Sequence, residues 1–489
     1  MAAPRFAVPR AREWLLSRRA AHGRPRRTIF RPPRPPPVRA PLAALLALLA
    51  TSAASGQAVA FGSADDPLER GADPDAPDRL VAHALAGPAY LPDTWRTAVR
   101  LAAEGRRGRW SLGLGGTVHP GAAGLYEPEA DEPYDVLRLL RYARLNPAAG
   151  SPVYARAGPV ENVTLGSGAL VRGYRTTAAW DERALGLEGA ARLGAVRVAG
   201  LVGDLRLNGV VGGEVGVRTG LGVGPVRRLG VAVAVVHDLG RPGFAGDSSL
   251  TGVEGMLRGA LAAPGPLAVE PFALHARYLG RGGTVGAGLD VGAEDLGGAL
   301  GARARLAVFA SSGGFVPGWV GPFYSVSGGP SRIVDDGSFF DAAPGAALVG
   351  VPLDSLGAGV DVVLDLRAVV FGRAEVSQHI RRHVGPGAAS AYALRLAGRL
   401  PGGGRAEFAL QREGFTGFFD LISELGDRNT LVLDLALPVG RRGLVFVRSR
   451  YGYRRLTADD GAEYGPGGPP RFLVERRFEP LVGLRLAAD

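Results

Sequence analysis

The sequence predicts an all-β protein in which about 16–18 antiparallel strands close into a transmembrane barrel, preceded by a short helical N-terminal segment. Three observations predict it. Side chains alternate with a period of two over most of the chain after residue 109, with aliphatic residues on one parity and charged residues on the other. A short apolar stretch near the N-terminus has the form of an export signal. Elsewhere no apolar run reaches the roughly 18 residues that a membrane-spanning helix needs.

Residues 361–370 show the alternation most plainly. Asp361, Asp365 and Arg367 share one parity, whereas the opposite parity holds only Val, Leu and Ala. A strand places alternate side chains on opposite faces, so the charged and the aliphatic residues are predicted to face opposite sides of a sheet. In a membrane barrel the aliphatic residues face lipid and the charged residues face the lumen.

The hairpin at 430–454 shows the same pattern on a pair of strands. Its two arms flank a turn at 440–443, and Tyr451 and Tyr453 are on the apolar parity near one strand end. Tyrosines at that place are typical of the aromatic belt of a membrane barrel. Short turns and long polar connections also alternate along the chain, as periplasmic turns and extracellular loops do. The short turns are Gly194, Gly372 and 440–443, and the long connections are 238–249, 329–343, 414–429 and 455–470.

The composition excludes several classes of protein. Cysteine and lysine are both absent from the 489 residues, which excludes disulfides, thiolate metal sites, cysteine nucleophiles and lysine Schiff bases. The net charge of +11 comes almost wholly from residues 1–40, which hold eleven Arg and one Glu. The rest of the chain carries only +1, so nucleic acid is not an expected partner.

The N-terminal region predicts export. Residues 1–60 combine an Arg- and Pro-rich leader with the apolar run Leu42–Ala50 and a series of small residues after it. A basic stretch, a short apolar helix and small residues form a secretory signal, and the apolar run is too short to span a membrane.

Residues 61–108 are predicted to be a periplasmic linker with a helical segment. Acidic residues and prolines interrupt its first part, and helices are predicted at about 77–86 and 93–104. The barrel is then predicted over 109–489, where the stretch 134–146 fits a helical stripe as well as a strand.

Motifs that carry chemistry are few. His379 and His383 are four residues apart, but on a strand this spacing does not bring two metal ligands together, so a solvated pair is expected. The glycines of Gly166-Ser167-Gly168 are interpreted as turn glycines, because the context of a nucleophile elbow is missing. His237-Asp238 at a strand end is the one candidate for a hydrolase site on the rim. Polar turns that could alternatively hold a divalent ion are Asp335-Asp336-Gly337 with Asp341 and Asp459-Asp460-Gly461 with Glu463. No catalytic residue, metal site or cofactor is predicted, and an enzyme is not expected.

The chain resembles bacterial outer-membrane β-barrel proteins over about residues 109–489. The resemblance is carried by the export signal, the alternating strands, the long polar loops and the amphipathic final strand Pro480–Asp489. It implies a porin-like protein of the outer membrane that the barrel-assembly machinery recognises through this final strand. The chain departs from the family pattern by ending in Ala488-Asp489 instead of an aromatic residue. The block Val153–Tyr174 is similar to a patterned segment of uncharacterised members.

The charged parity is the candidate functional surface. Opposed Arg and carboxylate rows in a lumen would orient and sieve polar solutes, which predicts a channel for passive diffusion of small polar solutes. A plugged structural or adhesion barrel and a rim-site hydrolase are the alternatives. Outer-membrane lipid and small polar solutes are the expected partners, and homo-oligomerisation is left open. The residues predicted to line the lumen are Arg303, Arg305, Asp361, Asp365, Arg367, Arg373, Glu375, Arg395, Arg405, Glu407, Asp434, Arg448 and Arg450.

Overall fold

The computed structural model describes most of the chain between Leu80 and Ala488. Within that span the residues not described are 92–93, 123, 127–131, 146–151, 180–182, 240–249, 264–266, 297–299, 328–330, 334–347, 351–357, 371–373, 385–389, 401–403, 414–428 and 456–471. The predicted export signal, the first part of the predicted linker, Arg373 and both Asp-Gly turns therefore lie outside the described residues.

Strands make up nearly all regular structure in the described chain. The strands are β1 (Leu80–Leu91), β2 (Thr94–Arg107), β3 (Trp110–Val118), β4 (Leu140–Leu145), β5 (Val153–Pro159), β6 (Val163–Leu165), β7 (Val171–Tyr174), β8 (Leu185–Leu193), β9 (Val196–Val202), β10 (Val210–Arg218), β11 (Val226–Asp238), β12 (Thr251–Leu261), β13 (Leu267–Tyr278), β14 (Gly283–Leu296), β15 (Leu300–Ser311), β16 (Ser331–Ile333), β17 (Leu348–Gly350), β18 (Gly359–Val370), β19 (Ala374–Val384), β20 (Ala391–Arg399), β21 (Arg405–Glu413), β22 (Asn429–Val439), β23 (Gly443–Arg455) and β24 (Phe472–Ala488). The helices are single turns, α1 (Tyr134–Leu137) and α2 (Tyr324–Ser327). Among the described residues, no helix has the length and apolar character to cross a membrane.

One antiparallel sheet of twenty strands closes on itself within the described residues. Each strand pairs with the next barrel strand in the chain, and β1 pairs with β24 in a register that runs from Leu80↔Ala488 to Tyr90↔Phe478. Two short pairs, β6 with β7 and β16 with β17, stand apart from this sheet. A closed sheet has no unpaired edge, which is the condition for crossing lipid with strands. The predicted closed all-β barrel is confirmed, and its strand number exceeds the predicted range.

The predicted N-terminal helices are wrong, and this accounts for the low strand number. β1 and β2 occupy the part of the chain where helices were predicted at 77–86 and 93–104. Val81, His83 and Leu85 on β1 are buried at a period of two. Ala is the commonest residue of these two strands and gives a weak local preference for strand, so pairing with β24 and β3 determines the structure. The barrel therefore begins at β1, and the ambiguous stretch 134–146 divides into α1 and β4.

The two rims of the barrel differ. Short connections such as 108–109, 194–195 and 440–442 lie at one rim, called here the short-turn rim, together with the start of β1 and the end of β24. The longest connections, 160–184 and 312–358 among them, lie at the opposite, long-loop rim. The predicted alternation of turns and loops is confirmed, and by this plan the short-turn rim faces the periplasm.

The two faces of the wall follow the predicted parities. On β22, Leu433 is exposed on the outer face, whereas Asp434 on the inner face is 0% exposed. Its cross-strand partner Arg448 is 2% exposed and donates to both carboxylate oxygens of Asp434, at 3.0 and 2.8 Å. Paired charges thus fill this part of the interior while aliphatic side chains cover the outside, as a lipid-facing surface requires.

Tyr451 and Tyr453 do not form the predicted aromatic belt. Both are buried, and the Tyr453 ring meets Phe323 edge to face with centroids 6.0 Å apart. The backbone N–H of Tyr453 also donates to the Ala178 carbonyl at 3.3 Å. Phe323 and Ala178 belong to two long connections that pack against this strand end, and strand parity alone carries no information about such contacts.

Candidate functional site

Two long connections fold inward from the long-loop rim. The first, residues 160–179, contains the β6–β7 hairpin and is called here the inserted hairpin; the second, residues 312–327, is called the second inserted segment. They hydrogen-bond to each other: the Gly318 N–H donates to the Ala169 carbonyl at 2.8 Å and the Arg172 N–H to the Val320 carbonyl at 3.0 Å. The two segments therefore form a single obstruction in the lumen.

Apolar packing holds this obstruction against the wall. Leu170 and Val171 of the inserted hairpin and Trp319 of the second inserted segment belong to one buried cluster with inward-facing side chains of β11, β12, β13, β15 and β18. The Phe315 ring stacks on Tyr278 of β13 with centroids 4.7 Å apart. Fully burying a Leu or Phe side chain stabilises by roughly 1.5–3 kcal/mol. Several such residues make the inserted position the stable one.

Backbone donors at the hairpin tip are anchored on two wall carboxylates. The Gly166 N–H donates to Glu214 at 2.9 Å and the Ser167 N–H to Glu254 at 2.7 Å. Gly166 has a φ of 61°, and a Cβ there would lie 2.6 Å from a Glu254 oxygen. The prediction of turn glycines at 166 and 168 is confirmed, and the reason for glycine is a left-handed turn pressed against a buried carboxylate.

Arginines clamp the inserted segments from both sides. Arg172 of the inserted hairpin donates to Asp365 of β18 at 2.6 Å, and the other oxygen of Asp365 lies 2.5 Å from His379 Nδ1 on β19. Arg305 of β15 donates to the Ser167 carbonyl at 2.9 Å. Arg381 of β19 donates to the Pro317 carbonyl in the second inserted segment. Charge-assisted bonds of this kind are the stronger class of hydrogen bond.

A cavity of about 290 Å³ remains between the inserted segments and strands β14, β15 and β18 to β21, called here the lumen cavity. Its lining carries four carboxylates, Glu161, Asp290, Asp365 and Glu413. It also carries eight arginines: Arg172, Arg175, Arg303, Arg305, Arg367, Arg381, Arg395 and Arg412. Glu375, Glu407 and Asp361, buried behind this lining, pair with Arg367, Arg395 and Arg381, so only some of the lining arginines offer free donors to the lumen cavity.

Arg303 and Arg367 are the arginines best placed to meet a solute. They are direct cross-strand partners on β15 and β18, so two like charges share one face. Arg303 is exposed and has no hydrogen-bond or ion-pair partner among the described residues. Arg367 is 59% exposed and contacts Glu375 at 2.9 Å. The pair presents donors to the lumen that the wall does not saturate.

Comparisons with known proteins concern architecture. No protein-family model matches the chain, and no curated protein matches it. Wzi, a carbohydrate-binding β-barrel of the Escherichia coli outer membrane involved in group 1 capsule assembly, is 12% identical, with coverage of 83% of this chain and 84% of Wzi and a TM-score of 0.35. The outer membrane protein OpdK of Pseudomonas aeruginosa is 9% identical, with coverage of 84% of this chain and 98% of OpdK and a TM-score of 0.28. Neither likeness extends to function.

The structural class of the protein follows from the properties of its own barrel wall. The sheet closes without an edge, its outer face is aliphatic and its inner face carries buried, paired charges. The chain is an outer-membrane-type β-barrel. This architecture spans the bacterial outer membrane, with short turns in the periplasm and long loops outside.

The predicted lumen residues separate into three groups. Arg303, Arg305, Asp365, Arg367 and Arg395 line the lumen cavity. Asp361, Glu375, Glu407, Asp434 and Arg448 are buried in ion pairs of the wall. Arg405 is half-buried and Arg450 is buried beside a small separate cavity.

The predicted solvated histidine pair is wrong, because each histidine contacts a carboxylate on the neighbouring strand. His379 and His383 are not a solvated pair: His379 contacts Asp365, and His383, with 5% of its side chain exposed, contacts Asp361 at 3.2 Å. Each histidine is the direct register partner of its carboxylate on β18. The sequence carries a signal for this pairing: Asp361 and Asp365 have the same spacing as His379 and His383. A tight hairpin between the two strands therefore brings each histidine opposite a carboxylate.

Among the described sequence candidates, His237 and Asp238 are each engaged by another side chain. His237 Nδ1 lies 2.9 Å from the Thr251 hydroxyl, and Asp238 instead accepts from the Tyr324 hydroxyl. Within the described part of the chain, no group of three His, Asp or Glu side chains could hold a metal ion.

We expect Asp365→Asn to loosen the inserted hairpin. The substitution removes the carboxylate shared by Arg172 and His379. With the inserted hairpin in place, only 11% of the Arg172 side chain is exposed. Trypsin cleavage after Arg172, followed by mass spectrometry on the folded barrel, should accelerate on the order of tenfold, because cleavage tracks the open population. Glu270→Gln, which removes a carboxylate paired with an exposed arginine at the rim, is the control and should leave the rate unchanged. An equal rate for Asp365→Asn and wild type would contradict the clamp.

Proposed function

We propose that this barrel is a narrowed, charge-selective outer-membrane channel for passive diffusion of small anionic solutes. The supporting observation is the lumen cavity, in which Arg303 and Arg367 present unsaturated guanidinium groups beside an obstruction made of the two inserted segments. A lumen of this kind selects by size at the obstruction and by charge at the arginines. No reaction is assigned to the protein.

Carboxylates pair with several lumen arginines and so weaken the binding of anions in the channel. Arg305 is held by Asp290 through two hydrogen bonds of 2.6 and 2.8 Å, and Arg395 by Glu407 at 2.8 Å. These arginines are fixed in place and partly neutralised, so an anion passing Arg303 and Arg367 meets a moderate field. Conduction needs binding weak enough to permit release, and this mixture of paired and unsaturated arginines provides it.

Planar-bilayer recording tests the proposal. Purified, refolded and heat-modifiable protein should give discrete conductance steps, and a salt gradient should give a reversal potential of the sign expected for anion preference. Silence from a folded sample would contradict the channel.

The plugged structural barrel is the second candidate. The observation that favours it is the apolar cluster that joins both inserted segments to the wall, since such packing also suits a permanent seal. Silent wild type together with conducting variants that lack the inserted hairpin would decide for this alternative.

We expect Arg303→Gln with Arg367→Gln to reduce anion preference. Removing two neighbouring positive charges weakens the attraction for anions in the lumen cavity, so the reversal potential should move toward the cation limit. Arg277→Gln is the matched control, because Arg277 is exposed on the outer parity of β13 and lies outside the lumen cavity. An unchanged reversal potential in the double variant would remove these arginines from the selectivity mechanism.

A further inference from the structure

A second cavity opens at the short-turn rim, on the opposite side of the Arg305–Asp290 pair from the long loops. It measures about 580 Å³ and is lined by the rim ends of β8 to β13; we call it the vestibule. Asp290 contacts Arg258 of the vestibule at 3.6 Å and also holds Arg305 of the lumen cavity. The vestibule is thus separated from the lumen cavity by one cluster of charges.

Five arginines line the vestibule against two carboxylates. The arginines are Arg192, Arg197, Arg218, Arg228 and Arg258, and the carboxylates are Glu214 and Glu270. The surrounding turns, 194–195 and 219–225, contain no acidic residue. Although the chain after its leader is close to neutral, this mouth is strongly electropositive.

The two carboxylates neutralise little of this charge. Arg197 lies 3.9 Å from Glu214 and Arg218 lies 3.7 Å from Glu270, and the two guanidinium-bearing side chains are 54% and 67% exposed. Exposed pairs at such distances are weak. Glu214 is further engaged by the Gly166 N–H of the inserted hairpin.

Two arginines of the vestibule have no carboxylate partner among the described residues. Arg192 and Arg228 are exposed and have no ion-pair partner in the described chain. Arg192 and Arg197 are direct cross-strand partners, and like charges placed opposite each other destabilise a sheet. A bound anion would relieve this repulsion, since one oxyanion can accept from both guanidinium groups.

We propose that the vestibule binds a compact multivalent oxyanion, a molecule with two or more phosphate or carboxylate groups. A planar guanidinium donates two parallel hydrogen bonds to such a group, so separate arginines can hold separate groups of one ligand. The cavity volume is within the range of small-molecule sites. Binding at this mouth needs no conduction and therefore goes beyond the proposed channel function.

Calorimetric titration of the purified full-length barrel tests this site. Inorganic pyrophosphate is the probe, with citrate in a second arm and acetate as the monovalent comparison, in neutral detergent at low salt. Pyrophosphate should bind more tightly than acetate, and added salt should weaken it. Comparable binding of citrate assigns a general oxyanion site, whereas binding of pyrophosphate alone assigns a phosphate site.

Arg192→Gln with Arg228→Gln should weaken pyrophosphate binding by at least about tenfold, because each arginine offers charge-assisted hydrogen bonds. Arg277→Gln is the control for loss of an exposed arginine elsewhere, and heat modifiability confirms folding of every variant. Absence of pyrophosphate binding by wild type would overturn the proposal. The proposal would also be overturned if pyrophosphate still bound to the Arg192→Gln, Arg228→Gln variant but not to the Arg303→Gln, Arg367→Gln variant. Conductance of wild type tests the channel separately.

Discussion

Replacing residues 160–184 by a short turn is expected to raise the single-channel conductance several-fold. Pro159 and Leu185 are direct register partners at the ends of β5 and β8, so a tight turn can join these strands without altering the wall. The replacement removes the inserted hairpin, and the second inserted segment loses the backbone partners that Ala169 and Leu170 provide. A barrel of this strand number has an interior wide enough for a water-filled channel once its obstruction is removed.

The same replacement should also reduce stability. It removes the backbone donors from Glu214 and Glu254 and exposes the inward apolar side chains of β11, β12, β13 and β15. Conductance must therefore be compared on samples that remain heat-modifiable. Arg441→Gln with Arg442→Gln, in a turn at the short-turn rim outside both cavities, is the control for rim alteration and should keep the wild-type conductance. If the shortened barrel conducts as wild type does, the inserted hairpin is not the narrow point of the path.

The wall could be predicted from the sequence because its signal is local. On β22, Leu433 and Asp434 are adjacent in the sequence and show the alternation directly. Because the aliphatic side chains must face lipid, the charged side chains of the opposite parity are buried inside the barrel. The local signal was weakest in β1 and β2, where the alanine-rich sequence fits a helix as well as a strand. There, pairing with β24 and β3 determines the strand structure, and no local sequence pattern predicts this pairing.

The inserted hairpin could not be predicted, because its position depends on residues far apart in the chain. Arg172 finds Asp365 across 193 residues, and Ser167 finds Glu254 across 87. Apolar residues such as Leu170 and Trp319 in the inserted segments indicate burial, but they do not show which part of the wall they contact. Several of the predicted lumen arginines line the lumen cavity, and tertiary contacts determine which of them bind the inserted segments and which keep unsaturated donors.

We expect Arg448→Met to lower the free energy of unfolding by about 3–5 kcal/mol, the cost of leaving a buried charge without its partner. Arg448 is the cross-strand partner of Asp434, which is wholly buried, and Glu407 is the next residue opposite Asp434 on β21. Without Arg448, two carboxylates face each other in the wall. Denaturant unfolding of the barrel in lipid vesicles, followed by tryptophan fluorescence and by heat modifiability, measures the loss.

Adding Asp434→Asn to Arg448→Met should recover much of that loss, because it removes the stranded charge. The double-mutant cycle should therefore show a strong coupling between Asp434 and Arg448. Arg367→Met is the matched control: it breaks a diagonal ion pair between neighbouring strands, in which Arg367 lies opposite Ser377 and contacts Glu375. Because Arg367 is 59% exposed to the lumen, the cost should stay within about 1 kcal/mol. Equal costs for Arg448→Met and Arg367→Met would mean that water reaches both pairs alike. The interior near β22 and β23 would then be an open lumen, and the separation of the predicted charges into wall pairs and solute-facing arginines would fail.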